Sequence, residues 1–200
     1  MHWNMRQLKH VIWSDECVFE VSDGNNTYVY RRPDSDPFDP KYSSKHVKHP
    51  AKIMVWACFS YRGTGKRIIL PRNMMMNKER YLELISDNLY DCFRMCKVPL
   101  DQGIFMQDGA TCHTANIIKE YFSFVKVCYI EKWPGNSPDL NPIENLWAIM
   151  KKKLCARDTS TIPKLEAAIL EIWQNLNGKI LRNLASSIPR RLRQVVMRKG

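Results

Sequence analysis

At 200 residues the chain has room for one compact domain and not for two of full size. With 44% hydrophobic and 26% charged residues it can bury a core, which excludes wholesale disorder. The formal net charge of +11 points to a polyanionic partner. That charge is uneven: residues 41–78 hold 9 basic and no acidic side chains, and residues 151–200 hold 12 against 3, while the remainder nets −7. An acidic body carries two basic patches. No apolar run approaches the roughly 18 residues of a membrane span, and Met1 to Trp13 lacks a signal-peptide core. The seven cysteines are odd in number and lack zinc spacing, so they read as reduced thiols.

In chain order, Lys9–Trp13 and Cys17–Val21 read as two strands joined by a short acidic turn. A hairpin-like turn follows at Ser22–Asn26, before Tyr28–Arg31. Prolines 33, 37, 40 and 50 mark an exposed basic arm over about 22–50. The apolar run Lys52–Ser60 fits a central strand buried on both faces. Tyr61–Lys66 reads as a turn and Arg67–Leu70 as a strand. Gly63-Thr64-Gly65-Lys66 lacks the first Gly and the Ser/Thr of a phosphate-binding loop. Tyr81, Ile85, Leu89, Cys92 and Cys96 space a helix of about five turns. A short strand Ile104–Met106, a helix Thr114–Phe122 and a strand Val127–Ile130 follow, then helices at Pro142–Lys152 and about 165–176, 179–186 and 189–198. Antiparallel strands first, then alternating strands and helices, predict an α/β mixed sheet with helices on both faces.

Three carboxylates fall where such a fold places chemistry. Asp15 and Asp108 follow apolar strands, and Glu144 lies in the first turn of a helix. Converging carboxylates repel unless cations join them, and Mg²⁺ prefers oxygen ligands. Each acid has a plainer reading. Asp15 and Asp108 suit turns, and Asn141, Pro142 and Glu144 form a capping-box pattern.

Trp13-Ser14-Asp15-Glu16, Gln107 to Ala115 and the long block Trp133 to Trp147 resemble, in order, the three signature blocks of the Tc-one/mariner transposases. The resemblance runs almost to the end, through Ser187-Ile188-Pro189-Arg190-Arg191-Leu192. It implies a ribonuclease-H-like catalytic domain over 1–200, with antiparallel first strands followed by parallel ones. It further implies a DDE triad of Asp15, Asp108 and Glu144 holding two Mg²⁺ ions, with Mn²⁺ able to substitute. Between Asp108 and Glu144 lie 35 residues, one more than the family's commonest spacing. Since the family carries two helix-turn-helix modules before this domain, the chain is expected to be the catalytic domain only.

The activity so implied is metal-dependent DNA cleavage and strand transfer on transposon ends and target DNA, typically at TA. A nuclear location and a homodimer accompany it. The alternative is a non-catalytic, transposase-derived DNA-binding module; a ribonuclease acting on hybrids ranks last. Lys41, Lys45 and Lys48 on the arm would act as a clamp on DNA backbone, joined by Lys151, Lys152 and Lys153 after Glu144 and by Arg190 and Arg191 in the basic helical tail over about 160–200. Solvated surface is the competing reading for any one of them. His113, five residues past Asp108, is an accessory candidate that orients a phosphate or braces the Asp108 loop. Glu16 points away from Asp15 in an extended chain and is left out of the triad.

Overall fold

The computed structural model describes residues 5–22, 36, 50–72, 74–134, 137 and 140–197. The turn at Ser22–Asn26 beyond its first residue, the strand Tyr28–Arg31 and nearly all of the arm lie outside the described residues, and so do Lys41, Lys45 and Lys48.

After a short helix α1 (Met5–Leu8) come β1 (Val11–Glu20), β2 (Lys52–Ser60), β3 (Gly63–Ile69), α2 (Lys78–Met95) and β4 (Ile104–Met106). The order continues with α3 (Asn116–Val125), β5 (Cys128–Tyr129), α4 (Pro142–Leu154), α5 (Ile162–Gln174), α6 (Gly178–Ser186) and α7 (Ile188–Met197). The five strands form one sheet in the order β3-β2-β1-β4-β5. The first three are antiparallel, while β4 pairs parallel to both β1 and β5, so the mixed sheet is the one expected.

The sheet is covered on both faces. Val11, Trp13 and Phe19 of β1 pack with buried residues of α4 to α7, including Trp147 and Trp173. Ile12 of β1 and Phe105 of β4 pack with α2 and α3, including Tyr81, Ile85 and Phe122. Alternation along β1 therefore assigns odd residues to the α4 face and even ones to the α2 face.

One expectation is corrected here. The two strands and acidic turn predicted around Asp15 are a single ten-residue strand, in which Ser14, Asp15 and Glu16 pair with Cys58, Ala57 and Trp56. Polar side chains inside a strand look like a turn, but these have partners: Ser14 Oγ donates to Met106 O at 2.7 Å, tying β1 to β4. Likewise Gly63 already begins β3, so the predicted turn shrinks to Tyr61 and Arg62. The α4 start agrees with its sequence signal: Asn141 caps it by accepting from Ile143 N at 3.4 Å, and Pro142 opens the first turn.

Candidate active site

Asp15 stands in the middle of β1 on the α4 face. Its Oδ2 accepts a 3.1 Å hydrogen bond from the Trp147 indole. Burial, then the charges of Glu16 and Glu144, push its carboxyl up to about 8. Glu144 lies in the first turn of α4, exposed; its backbone N–H donates to Asn141 O at 3.2 Å, while among the described residues its side chain makes no bond to the Asn141 N–H that would complete a capping box. Its carboxyl is raised by partial burial and by the charge of Asp108, against the pull of Lys151. The charge of Glu144 thus acts on Asp15, and that of Asp108 acts on Glu144.

Asp108 lies two residues beyond the end of β4. Its Oδ1 accepts from Ala110 N at 3.0 Å and meets His113 Nδ1 at 2.5 Å, and the histidine bond holds its carboxyl below the usual range. His113 is only 4% exposed and rests on the Tyr81 ring, with centroids 4.0 Å apart. Its Nε2 faces Glu16 Oε1 at 3.4 Å. Burial works against its charged form, but Asp108 and Glu16 outweigh that and push the imidazole up to about 10.

The structure places Asp15 on β1, Asp108 just past β4 and Glu144 in the first turn of α4, and gives His113 a defined contact with Asp108. It also adds residues that the sequence reading missed. Glu16 faces away from Asp15, as expected, yet reaches Asp108 through His113. Tyr81 and Gln107 complete that side: Tyr81 Oη donates to Gln107 Oε1 at 2.9 Å, and Gln107 Nε2 donates to the His113 carbonyl at 2.8 Å. The available signal for Glu16 was strand alternation, which sends it to the α2 face that also receives Tyr81.

The basic residues divide. Lys151 turns toward the acids: its Nζ lies 5.7 Å from the Phe19 ring centroid, its charge opposes the rise of the Cys17 thiol caused by burial, and it acts on Glu144. Lys152 and Lys153 are exposed in the last turn of α4, where cations also suit the helix dipole. Arg190 is exposed on α7, and Arg191 Nε donates to Ser187 Oγ at 2.7 Å. Elsewhere Lys66, Arg157 and Lys164 are engaged with Asp91, Glu171 and Asp158.

The three acids suit hard divalent cations, being all-oxygen donors. Among the described residues, no three His, Cys, Asp or Glu side chains already stand in a metal-holding group.

A mixed sheet covered on both faces, antiparallel in its first three strands and parallel after them, defines a ribonuclease-H-like fold. Solved structures of the same fold include the pre-cleavage Mos1 transpososome, with a TM-score of 0.83, 16% identity and 98% of this chain covered. The Mos1 transposase catalytic domain with Raltegravir and Mg matches with a TM-score of 0.74, 17% identity and 100% coverage. The profile of the DDE superfamily endonuclease family matches residues 10–166, and the chain belongs to that family, placing it in the transposase and endonuclease class of enzymes. Among its relatives, the Tcb1 transposase of Caenorhabditis briggsae is 30% identical over the whole chain, and the Tc3 transposase of Caenorhabditis elegans is 29% identical over 95% of it. The chain spans 72% of the Tcb1 protein, 56% of the Tc3 protein and 57% of the transpososome chain.

Proposed function

We propose that the chain is the catalytic domain of a Tc1/mariner-type transposase, performing metal-dependent phosphoryl transfer on DNA. The family match over residues 10–166, with Asp15 on β1, Asp108 just past β4 and Glu144 in the first turn of α4, carries the reading. In it these three residues hold two divalent cations, Mg²⁺ or in its place Mn²⁺. Bound there, such ions stabilise the charge on the attacking and leaving oxygens of an in-line displacement. The Mos1 paired-end complexes with Mn and with Mg support that choice of cation by likeness.

Water attacks a phosphodiester at the transposon end. A P–O bond forms as the bond to the leaving 3′-oxygen breaks, and a proton passes to the freed hydroxyl. That 3′-hydroxyl then attacks a target phosphodiester, at TA in this reading, expelling the next 3′-oxygen. No side chain becomes covalently attached, so the protein's part is positioning and charge neutralisation. In this reading Lys151 meets phosphate beside the acids, with Lys152, Lys153, Arg190 and Arg191 extending the basic surface and Lys41, Lys45 and Lys48 supplying the clamp. In the same reading residues 1–200 are one domain, acting in the nucleus as a homodimer.

The test is cleavage and strand transfer on nicked or branched DNA with Mg²⁺ or Mn²⁺, comparing the protein with Asp108→Asn. Activity that the substitution abolishes supports the reading; activity left unchanged overturns the site. Salt-sensitive DNA binding that survives loss of Asp15 and Asp108, with no cleavage under either metal, would instead establish the non-catalytic DNA-binding module.

A further inference from the structure

Asp15 and Glu16 are neighbours in sequence on opposite faces of β1, and both approach the same carboxylate centre. Asp15 does so directly on the α4 face. Glu16 approaches past the end of β4: its Oε1 faces His113 Nε2 at 3.4 Å, and His113 Nδ1 meets Asp108 Oδ1 at 2.5 Å. We propose that Glu16 and His113 form a positioning clamp that orients Asp108 for divalent-cation binding. This rests on the reading of Asp15, Asp108 and Glu144 as cation ligands.

The geometry supports the clamp in three ways. Asp108 Oδ1 already takes two donors, Ala110 N and His113 Nδ1, whereas Oδ2 takes none among the described residues. One oxygen is anchored to the protein and the other is left for a ligand. A histidine beside a metal-binding carboxylate acts here as the outer-shell group that fixes the ligand's orientation.

The imidazole is itself held. It packs on the Tyr81 ring at a tilt of 37°, and its backbone carbonyl is fixed by Gln107, which Tyr81 Oη fixes in turn. A ring held at its face and its backbone presents one nitrogen to Asp108 and the other to Glu16.

Finally, Glu16 Oε1 and His113 Nε2 are both buried and hydrogen-bonded to nothing else, at a separation just beyond a good hydrogen bond. An ion pair of that length has slack that a fully closed hydrogen bond lacks. A pair that stays open can tighten when Asp108 is drawn toward a cation and pulls the ring with it.

The experiment is Mn²⁺ binding to the 200-residue protein, followed by calorimetry and by loss of the free-ion electron spin resonance signal. It compares the protein with Asp108→Asn, Glu16→Gln, His113→Asn and His113→Ala, with thermal unfolding to verify the fold of each. Glu16→Gln keeps the shape of a half-buried side chain, so it reads the clamp even where His113→Ala fails to fold. The expected result is binding abolished in Asp108→Asn and weakened about 10-fold or more in Glu16→Gln. His113→Asn, whose amide nitrogen can replace Nδ1 as a donor to Asp108, should bind more tightly than His113→Ala. Glu16→Gln within twofold of the unsubstituted protein, with Asp108→Asn inactive in binding, would overturn the clamp and leave the cation site standing. Unchanged binding in Asp108→Asn would overturn the cation site and the clamp together.

Discussion

The Trp147 indole donates to Asp15 Oδ2 at 3.1 Å, joining α4 to the middle of β1 across 132 residues of sequence. It is the only side-chain donor to that carboxylate among the described residues. Trp147 is 2% exposed and packs edge-on against Phe19 with centroids 5.8 Å apart. Trp147→Phe keeps most of the aromatic packing and removes the donor. With its carboxyl raised to about 8, Asp15 is neutral at pH 7, and a hydrogen bond to a neutral group is worth about 0.5–1.5 kcal/mol, so a loss of that order is expected in urea unfolding. A change below about 0.5 kcal/mol would show that Asp15 does not lean on the indole.

Asp15 gives a second prediction, about pH. Its carboxyl is pushed from 3.8 to about 8 by burial and neighbouring acids. Between those values the unfolded chain has lost the proton that the native protein keeps. The native state then binds more protons, and its stability falls as pH rises through this window. At about 1.4 kcal/mol per pKa unit, half of that displacement still corresponds to about 3 kcal/mol. Asp15→Asn, which cannot ionise, is expected to raise the melting temperature in metal-free buffer, more at pH 8 than at pH 5. The same substitution should remove catalysis, a stability gain at the cost of function. Equal melting temperatures at pH 8 would contradict the buried, charge-crowded placement of Asp15.

Lys151 separates from its neighbours. It alone of the three consecutive lysines acts on Glu144, Cys17 and the Phe19 ring. Lys151→Gln should reduce cleavage rate at saturating DNA, because it removes charge beside the acids. Lys153→Gln should mainly weaken binding and flatten its salt dependence. Identical kinetic effects from both would return Lys151 to the solvated surface.

Much of this was legible in the sequence because it was local. The α4 cap, Asn141 followed by Pro142, needs only adjacent residues, and the five-turn α2 announces itself by spacing. The break predicted at Asp15 failed for a non-local reason. Ser14 and Asp15 are satisfied by Met106 and Trp147, partners that appear only once β4 and α4 are packed. The same holds for Glu16: its facing away from Asp15 was readable, while its line to Asp108 depends on where His113 falls on the Tyr81 ring. The start of α3 shows the opposite limit, since Ala115 caps it with no side-chain hydrogen bond and the predicted start at Thr114 came two residues early.

The last prediction concerns Gly103, the residue before the three-residue strand that leads to Asp108. A Cβ there would overlap the Phe93 ring and lie 2.8 Å from Val98 Cγ1. Both neighbours are buried, Phe93 at 2% and Val98 at 4% exposed, so neither can swing into solvent. Overpacking of this kind costs about 1–3 kcal/mol. Because β4 is only Ile104–Met106, relief by a shift of Gly103 would also carry Met106 and the Asp108 turn with it. Gly103→Ala is therefore expected to lower both stability and Mn²⁺ affinity, although Gly103 is far in character from any ligand. Shrinking the obstructing ring in Gly103→Ala/Phe93→Leu should recover part of both losses, as coupling between contacting residues requires. Stability restored without Mn²⁺ affinity would mean that the strand start and the Asp108 turn move independently.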